Sequence, residues 1–250
     1  MKKLALLKLL LFLSISSFAQ DKTKINKADT ESYILIVPFE DKMYVSDADI
    51  DIDLAVNNNL KPYLICTSVK FHVMKEVASS LRNVSNVMTF EEYETKKAND
   101  LNLIYSSIYY EYKLPKKIQK KRNFTTNNVI FKTSKAKKIK QSKLLVKVED
   151  EEVFMAMSEK YNGDLFVFIS QVEFKKAQGT TQEAIAKNEY FIQATIHYTL
   201  IDNKGKPLKS EVAIAYFPSH VNEIDHISKE FISTATKDIA YNLPLAYFSK

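Results

Sequence analysis

The stretch Asn162-Gly163-Asp164-Leu165-Phe166-Val167-Phe168-Ile169 decides the fold. Leu165 to Ile169 is an unbroken apolar run rich in β-branched and aromatic residues, and the strand it predicts continues to Phe174. Such a run suits a strand covered on both faces. Asn162-Gly163 reads as the left-handed stop of a helix over Glu149 to Lys160, with Gly163 ending it. Downstream, Ile192, Ala194, Ile196, Tyr198 and Leu200 alternate with Gln193, Thr195, His197 and Thr199. That period of two predicts a strand with one core face and one polar face. Asp202-Asn203-Lys204-Gly205 is a hairpin signal, and Val212, Ile214 and Tyr216 lie on the returning strand.

Upstream, Tyr33-Ile34-Leu35-Ile36-Val37 predicts another strand buried on both faces, stopped by Pro38. Ser46-Asp47-Ala48-Asp49 resembles a helix start with Ser46 as cap and acids in the first turn. Lys61-Pro62 opens a longer helix, whose Ile65, Val69, Val73, Val77 and Leu81 recur every four residues on one face. A short strand is expected within Val84 to Phe90, a helix within Glu91 to Ile104, and a strand within the tyrosine-rich Tyr105 to Tyr112. Residues 175–188 read as a polar connection. Ile224, Ile227, Phe231, Ala235 and Ile239 place an amphipathic helix at the C-terminus. The expected architecture is α/β (α+β): a single mixed sheet with a C-terminal antiparallel hairpin, packed by amphipathic helices, over residues 33–250. There is no internal repeat.

The chain has 250 residues, 46% hydrophobic and 26% charged, a balance that excludes collagenous and wholly disordered classes. A lone cysteine, Cys66, excludes a disulfide framework and reads as a buried small hydrophobe. Gly163, Gly179 and Gly205 are too few and too scattered for a phosphate loop, a dinucleotide fingerprint or a nucleophile elbow. Lys2-Lys3, the apolar run around Leu9 to Leu13 and Ser17-Phe18-Ala19 follow the plan of a secretory signal over residues 1–19. Cleavage after Ala19 would expose Gln20, and residues 20–32 form a polar lead-in. The apolar run is short of the roughly 20 residues that span a bilayer, so the mature chain is expected to be exported, periplasmic or extracellular, without a transmembrane segment.

Three segments carry a resemblance: the strand Tyr33 to Phe39 ending in Pro-Phe, the passage from Asn162 to Phe168, and the hairpin from Tyr198 to Gly205. Together they resemble the periplasmic α/β domain of the curli-secretion channel protein, related envelope lipoproteins and the TolB amino-terminal domain. The resemblance covers about half the chain and implies envelope assembly or interaction work rather than catalysis. Two departures stand against a closer likeness: no lipid-attachment cysteine follows the leader, and no long alternating segments suit membrane hairpins.

Between Glu111 and Glu149 no acidic residue occurs, while residues 113–147 carry 13 cations. Beyond residues 1–19, the remainder holds 20 basic and 30 acidic residues, so the chain is charge-polarised. This lysine-rich insertion reads as a solvated excursion, as a contact for a protein's acidic surface, or as a contact for an anionic lipid or lipopolysaccharide surface. In the last case Lys116, Lys117, Lys120, Lys121, Arg122, Lys135, Lys137, Lys138 and Lys140 would make the contact. Nucleic acid is excluded as a partner, because Phe124 and Phe131 are too sparse to stack bases and Arg82 and Arg122 are the only arginines.

Asp47, Asp49, Asp51 and Asp53 occupy positions 1, 3, 5 and 7 of a calcium loop, but Ile52 and Asn58 stand where glycine and glutamate are needed. His72/Glu76 and His226/Glu230 are helical pairs that would form a metal site only if their helices met. His197 falls on the polar strand face and His220 in a loop. Tyr105, Tyr109, Tyr110 and Tyr112 read as cross-strand packing or as an aromatic contact face. No catalytic residue, metal ligand or cofactor site is assigned. The expected function is a non-enzymatic interaction or assembly module of the cell envelope; a hydrolase built on Asp49, His72, Glu76 and His226 is the enzymatic alternative.

Overall fold

The computed structural model describes residues 32–90, 95–113 and 142–244, with backbone alone at 95 and 96. Residues 1–31, expected to hold the leader and the polar lead-in, and residues 114–141 of the lysine-rich insertion lie outside the described residues. The chain runs β1 (Tyr33–Val37), β2 (Tyr44–Ser46), α1 (Ala48–Asn57), α2 (Ile65–Arg82), β3 (Asn86–Thr89), α3 (Thr95–Ser106), β4 (Ile108–Lys113) and β5 (Lys143–Val148). It continues through α4 (Glu151–Tyr161), β6 (Gly163–Lys176), α5 (Gln182–Ala186), β7 (Phe191–Asp202) and β8 (Pro207–Pro218). The C-terminal helix is continuous through α6 (Ile224–His226), a π segment (Ile227–Ile232) and α7 (Ser233–Tyr241). The fold is mixed α/β, as the sequence predicts.

The main sheet has the order β3-β1-β6-β7-β8, with β2 pairing the far half of β6. β3, β1 and β2 run parallel to their neighbours, whereas β6, β7 and β8 are antiparallel. Both faces are covered, which is why β1 from Tyr33 to Val37 and β6 from Leu165 to Ile169 are apolar without interruption. Ile34 and Ile36 point to a core shared with α1, α2 and the C-terminal helix. Leu35 and Val37 point to a second core with α3, α4 and β5. All five stripe residues of α2 are at most 1% exposed. Pro62 opens a single 3-10 turn ahead of α2, a position where its missing N–H costs nothing.

Besides the main sheet, β4 and β5 form a two-stranded antiparallel ribbon with Ile108 opposite Val148 and Lys113 opposite Lys143. The lysine-rich insertion therefore leaves and re-enters the fold at one point, the end of this ribbon.

Several local expectations change. Ser46 belongs to β2, and the residue preceding α1 is Asp47, whose carboxylate instead accepts from the Lys176 backbone N–H at 3.1 Å. The left-handed stop is Asn162 alone, at φ 50°. Gly163 already belongs to β6, and its small size serves close approach: a Cβ there would lie 2.3 Å from Leu35 Cδ1. In β6 a register shift between Ile169 and Gln171 leaves Ser170 as an extra residue. The face of Leu165, Val167 and Ile169 thus passes to Val172 and Phe174. Val212, Ile214 and Tyr216 do lie on the returning strand β8, whose core face is formed by their neighbours Ala213, Ala215 and Phe217. In the C-terminal helix the π segment shifts the register: Ile232 is buried and Phe231 only partly so. The polar connection 175–188 contains the short α5, capped by Thr181, whose hydroxyl accepts from the Ala184 N–H.

Candidate functional site

α2 packs its four-residue stripe inward and leaves a second row on its flank. Residues three and four apart share a helix face, so Lys70, Phe71, Met74, Lys75, Ala78 and Arg82 line up beside the stripe. This row forms one wall of a cleft of about 250 Å³, and Pro38, Thr89 and Phe90, at the carboxyl ends of β1 and β3, form the other. Open α/β sheets bind ligands at the carboxyl ends of their strands. Apolar Phe71, Met74, Ala78 and Phe90 dominate the surface, and Phe71 is 59% exposed. Among the described residues three of the lining residues are cationic and none is acidic.

The loop after β1 is pinned around this cleft. Tyr105 donates its hydroxyl to the Pro38 carbonyl at 2.8 Å, and Tyr110 donates to Glu40 Oε1 at 3.2 Å. Burial, followed by the Glu40 charge, pushes the Tyr110 phenol far above its ordinary range. Lys70 is buried, lies 2.5 Å from Asp41 Oδ1, and sits 5.4 Å from the centre of the Phe39 ring. The Cys66 thiol is 3.7 Å from the same carboxylate and is only partly buried, contrary to the fully buried thiol expected.

A second polar assembly lies between the ribbon and the main sheet. The β7 face read as polar is not solvated: Thr195, His197 and Thr199 are at most 5% exposed. The ribbon covers it, and the polar side chains hold the ribbon's backbone. Leu144 N–H donates to His197 Nδ1 at 3.1 Å, and Val146 N–H donates to Thr199 Oγ1 at 3.1 Å. Because Nδ1 accepts, the ring proton sits on Nε2, which is 3.4 Å from Glu173 Oε1. Lys143 pairs with Glu211 at 2.5 Å and closes the same seam.

The His197 hydrogen bond holds the Glu173 carboxyl down at about 2, against the opposing effect of burial and with help from Lys175. A carboxylate depressed in the fold contributes stability that is complete above the unfolded value near 4.5. That contribution is lost as pH falls toward 2. Glu173→Gln is expected to flatten the acid limb of stability over this window by about 1–2 kcal/mol after solvent screening, measured by urea unfolding from pH 5 to pH 2.

The other candidates are placed as follows. Lys116, Lys117, Lys120, Lys121, Arg122, Lys135, Lys137, Lys138 and Lys140 lie outside the described residues. Asp49 pairs with Lys176 at 2.5 Å, and this bond holds its carboxyl low. Asp51 accepts from the Tyr44 hydroxyl at 2.7 Å. Lys176 thus pairs with two of the four aspartates, Asp49 and, at 3.7 Å, Asp47, and a third, Asp51, is taken by Tyr44. His72 Nε2 lies 3.9 Å from Asp225, Glu76 accepts from the Ser228 hydroxyl at 3.3 Å, and His226 stacks on Phe231. α2 and the C-terminal helix do meet, but His72 and Glu76 are matched to Asp225 and Ser228. Among the described residues no group of three His, Cys, Asp or Glu side chains is placed to hold a metal. His220 is exposed in the turn after β8.

Of the four tyrosines, Tyr105 and Tyr110 are packing residues against Phe168, Tyr112 donates to Gln171 Oε1 at 3.0 Å, and Tyr109 is 47% exposed. Sequence reasoning missed the cleft. Its signal was Phe71, an aromatic residue off the apolar stripe and flanked by Lys70 and Lys75. No helix among the described residues is long and apolar enough to cross a membrane.

No protein-family description matches the chain, and no curated protein matches it. Among solved structures, the chain is similar to the hypothetical protein CT253 from Chlamydia trachomatis, at 12% identity and a TM-score of 0.34, over 86% of this chain and 91% of that one.

Proposed function

We propose that this chain is an exported, non-enzymatic interaction module of the cell envelope, of the kind found in the periplasmic α/β domains it resembles, and that it engages its partner through the cleft between α2 and β3. One observation carries this reading: a half-exposed phenylalanine, Phe71, stands in an apolar cleft rimmed by Lys75 and Arg82. Large apolar side chains set in a concave surface with a charged rim mark interaction sites. The leader organisation of residues 1–19 supports export. Fractionation of native cells followed by N-terminal sequencing tests it. The expected result is a mature chain beginning at Gln20 in the periplasmic or secreted fraction. Full-length protein confined to the cytosol would contradict it. The same fractions test the lysine-rich insertion: membrane association released by a salt wash would assign it an anionic surface.

A further inference from the structure

β3 is an edge strand. Among the described residues no strand pairs it on the side away from β1. Its four residues are exposed or only partly buried. Phe90 N–H donates to the Ile36 carbonyl at 3.0 Å, so alternate backbone groups of this segment face β1. By the period of two, Val87 and Thr89 turn their N–H and C=O groups to the open side. Thr89 also lines the cleft, so the open backbone edge and the flank of α2 form one continuous surface.

That surface has a length and a charge. From Thr67 to Arg82, α2 covers about 22 Å at ~1.5 Å per residue. An extended peptide of about six or seven residues, at ~3.3 Å each, spans the same distance. Along it lie Lys75 and Arg82, with no acidic residue in the lining among the described residues, and beside them the apolar Phe71, Met74 and Ala78; Lys70 is already paired with Asp41.

Resting on the interaction-module reading, we propose that the β3 edge and the α2 flank accept an extended acidic peptide, which adds as a strand beyond β3. Its backbone pairs with Val87 and Thr89, and the alternate side chains that face the cleft combine apolar residues with carboxylates, the latter meeting Lys75 and Arg82. Main-chain pairing supplies affinity in this mode, and side-chain pockets and charge supply selection.

The test uses the full chain and fluorescein-labelled seven-residue peptides, read by anisotropy at low salt. One peptide, Val-Ser-Glu-Ser-Val-Ser-Glu, carries valine and glutamate together on the cleft-facing positions, a second has lysine in place of glutamate, and a third is the glutamate peptide N-methylated at alternate amides. The glutamate peptide is expected to bind at least about tenfold more tightly than either other peptide. The double variant Lys75→Glu/Arg82→Glu is expected to reverse the preference toward the lysine peptide. A reversal is a gain of binding, so it cannot arise from misfolding. Equal affinity for both charges, undiminished binding after N-methylation, or no glutamate-peptide binding up to about 1 mM would each overturn the proposal. Loss of peptide binding alongside a retained cellular partner at Phe71 would reject the peptide chemistry while the interaction reading stands.

Discussion

Phe168→Ala is expected to cost about 3–5 kcal/mol of stability, among the largest effects of any single truncation in this chain. Phe168 is 0% exposed on β6, the strand that joins the parallel and antiparallel halves of the sheet. Its ring meets the edges of Tyr105 and Tyr110 at centroid distances of 6.1 and 6.5 Å. Those tyrosines hold Pro38 and Glu40 by hydrogen bonds, so the cavity left by alanine also loosens the loop beside the cleft. Equilibrium urea unfolding gives the magnitude, and near-ultraviolet circular dichroism of the tyrosines reports the local change. A loss below about 1 kcal/mol would show that the second core is not the support described.

His197→Ala is expected to cost about 2–4 kcal/mol, by a different route. No large apolar surface is lost. Instead, the buried Leu144 N–H loses its acceptor, and the Glu173 carboxylate loses one of its two donors and keeps Lys175 at 2.6 Å. A buried group left unsatisfied costs about 1–3 kcal/mol, and the cavity left by the ring adds to it. The effect should be local as well as global, because the ribbon is fastened there and at Thr199. Hydrogen exchange at Leu144 and Val146 should accelerate in the variant by more than global destabilisation explains. His197→Gln keeps a carbonyl acceptor and an N–H donor and should recover part of the loss. Similar stability in the alanine and wild-type proteins would mean that the ribbon is held without this residue.

These two residues mark where the sequence was legible. Phe168 lies in a run whose apolar density predicts a strand covered on both faces, and it is one. The α2 stripe was equally plain, since one period fits all five residues. His197 sits in an alternation that correctly predicts a strand but assigns the wrong surroundings. Polar residues on a strand face ordinarily meet water; here they meet backbone N–H groups of β5, 53 residues away in the chain. Nothing in Leu144 or Val146 announces that their amides need side-chain acceptors.

The Ser170 bulge was hidden for a related reason. The apolar run from Leu165 to Ile169 has no phase of its own, so the alternation that follows it, Val172 and Phe174 against Gln171 and Glu173, does not announce that the bulge has changed the face. Ala213 and Ala215 form the core face of β8, where they pack into the same core as Ala235 and Ile239 of the C-terminal helix. Their small size made the larger Val212 and Ile214 look like the defining residues. The cleft was missed because its residues form a second row on a helix already explained by its first.

The account turns on Phe71, and site-specific photo-cross-linking in native cells tests it most directly. A benzophenone side chain is placed at position 71 and, as control, at position 241, where Tyr241 is 77% exposed on α7. The account predicts a covalent adduct with an envelope protein from position 71 and none from position 241. No adduct at position 71, or the same adducts from both positions, would contradict it.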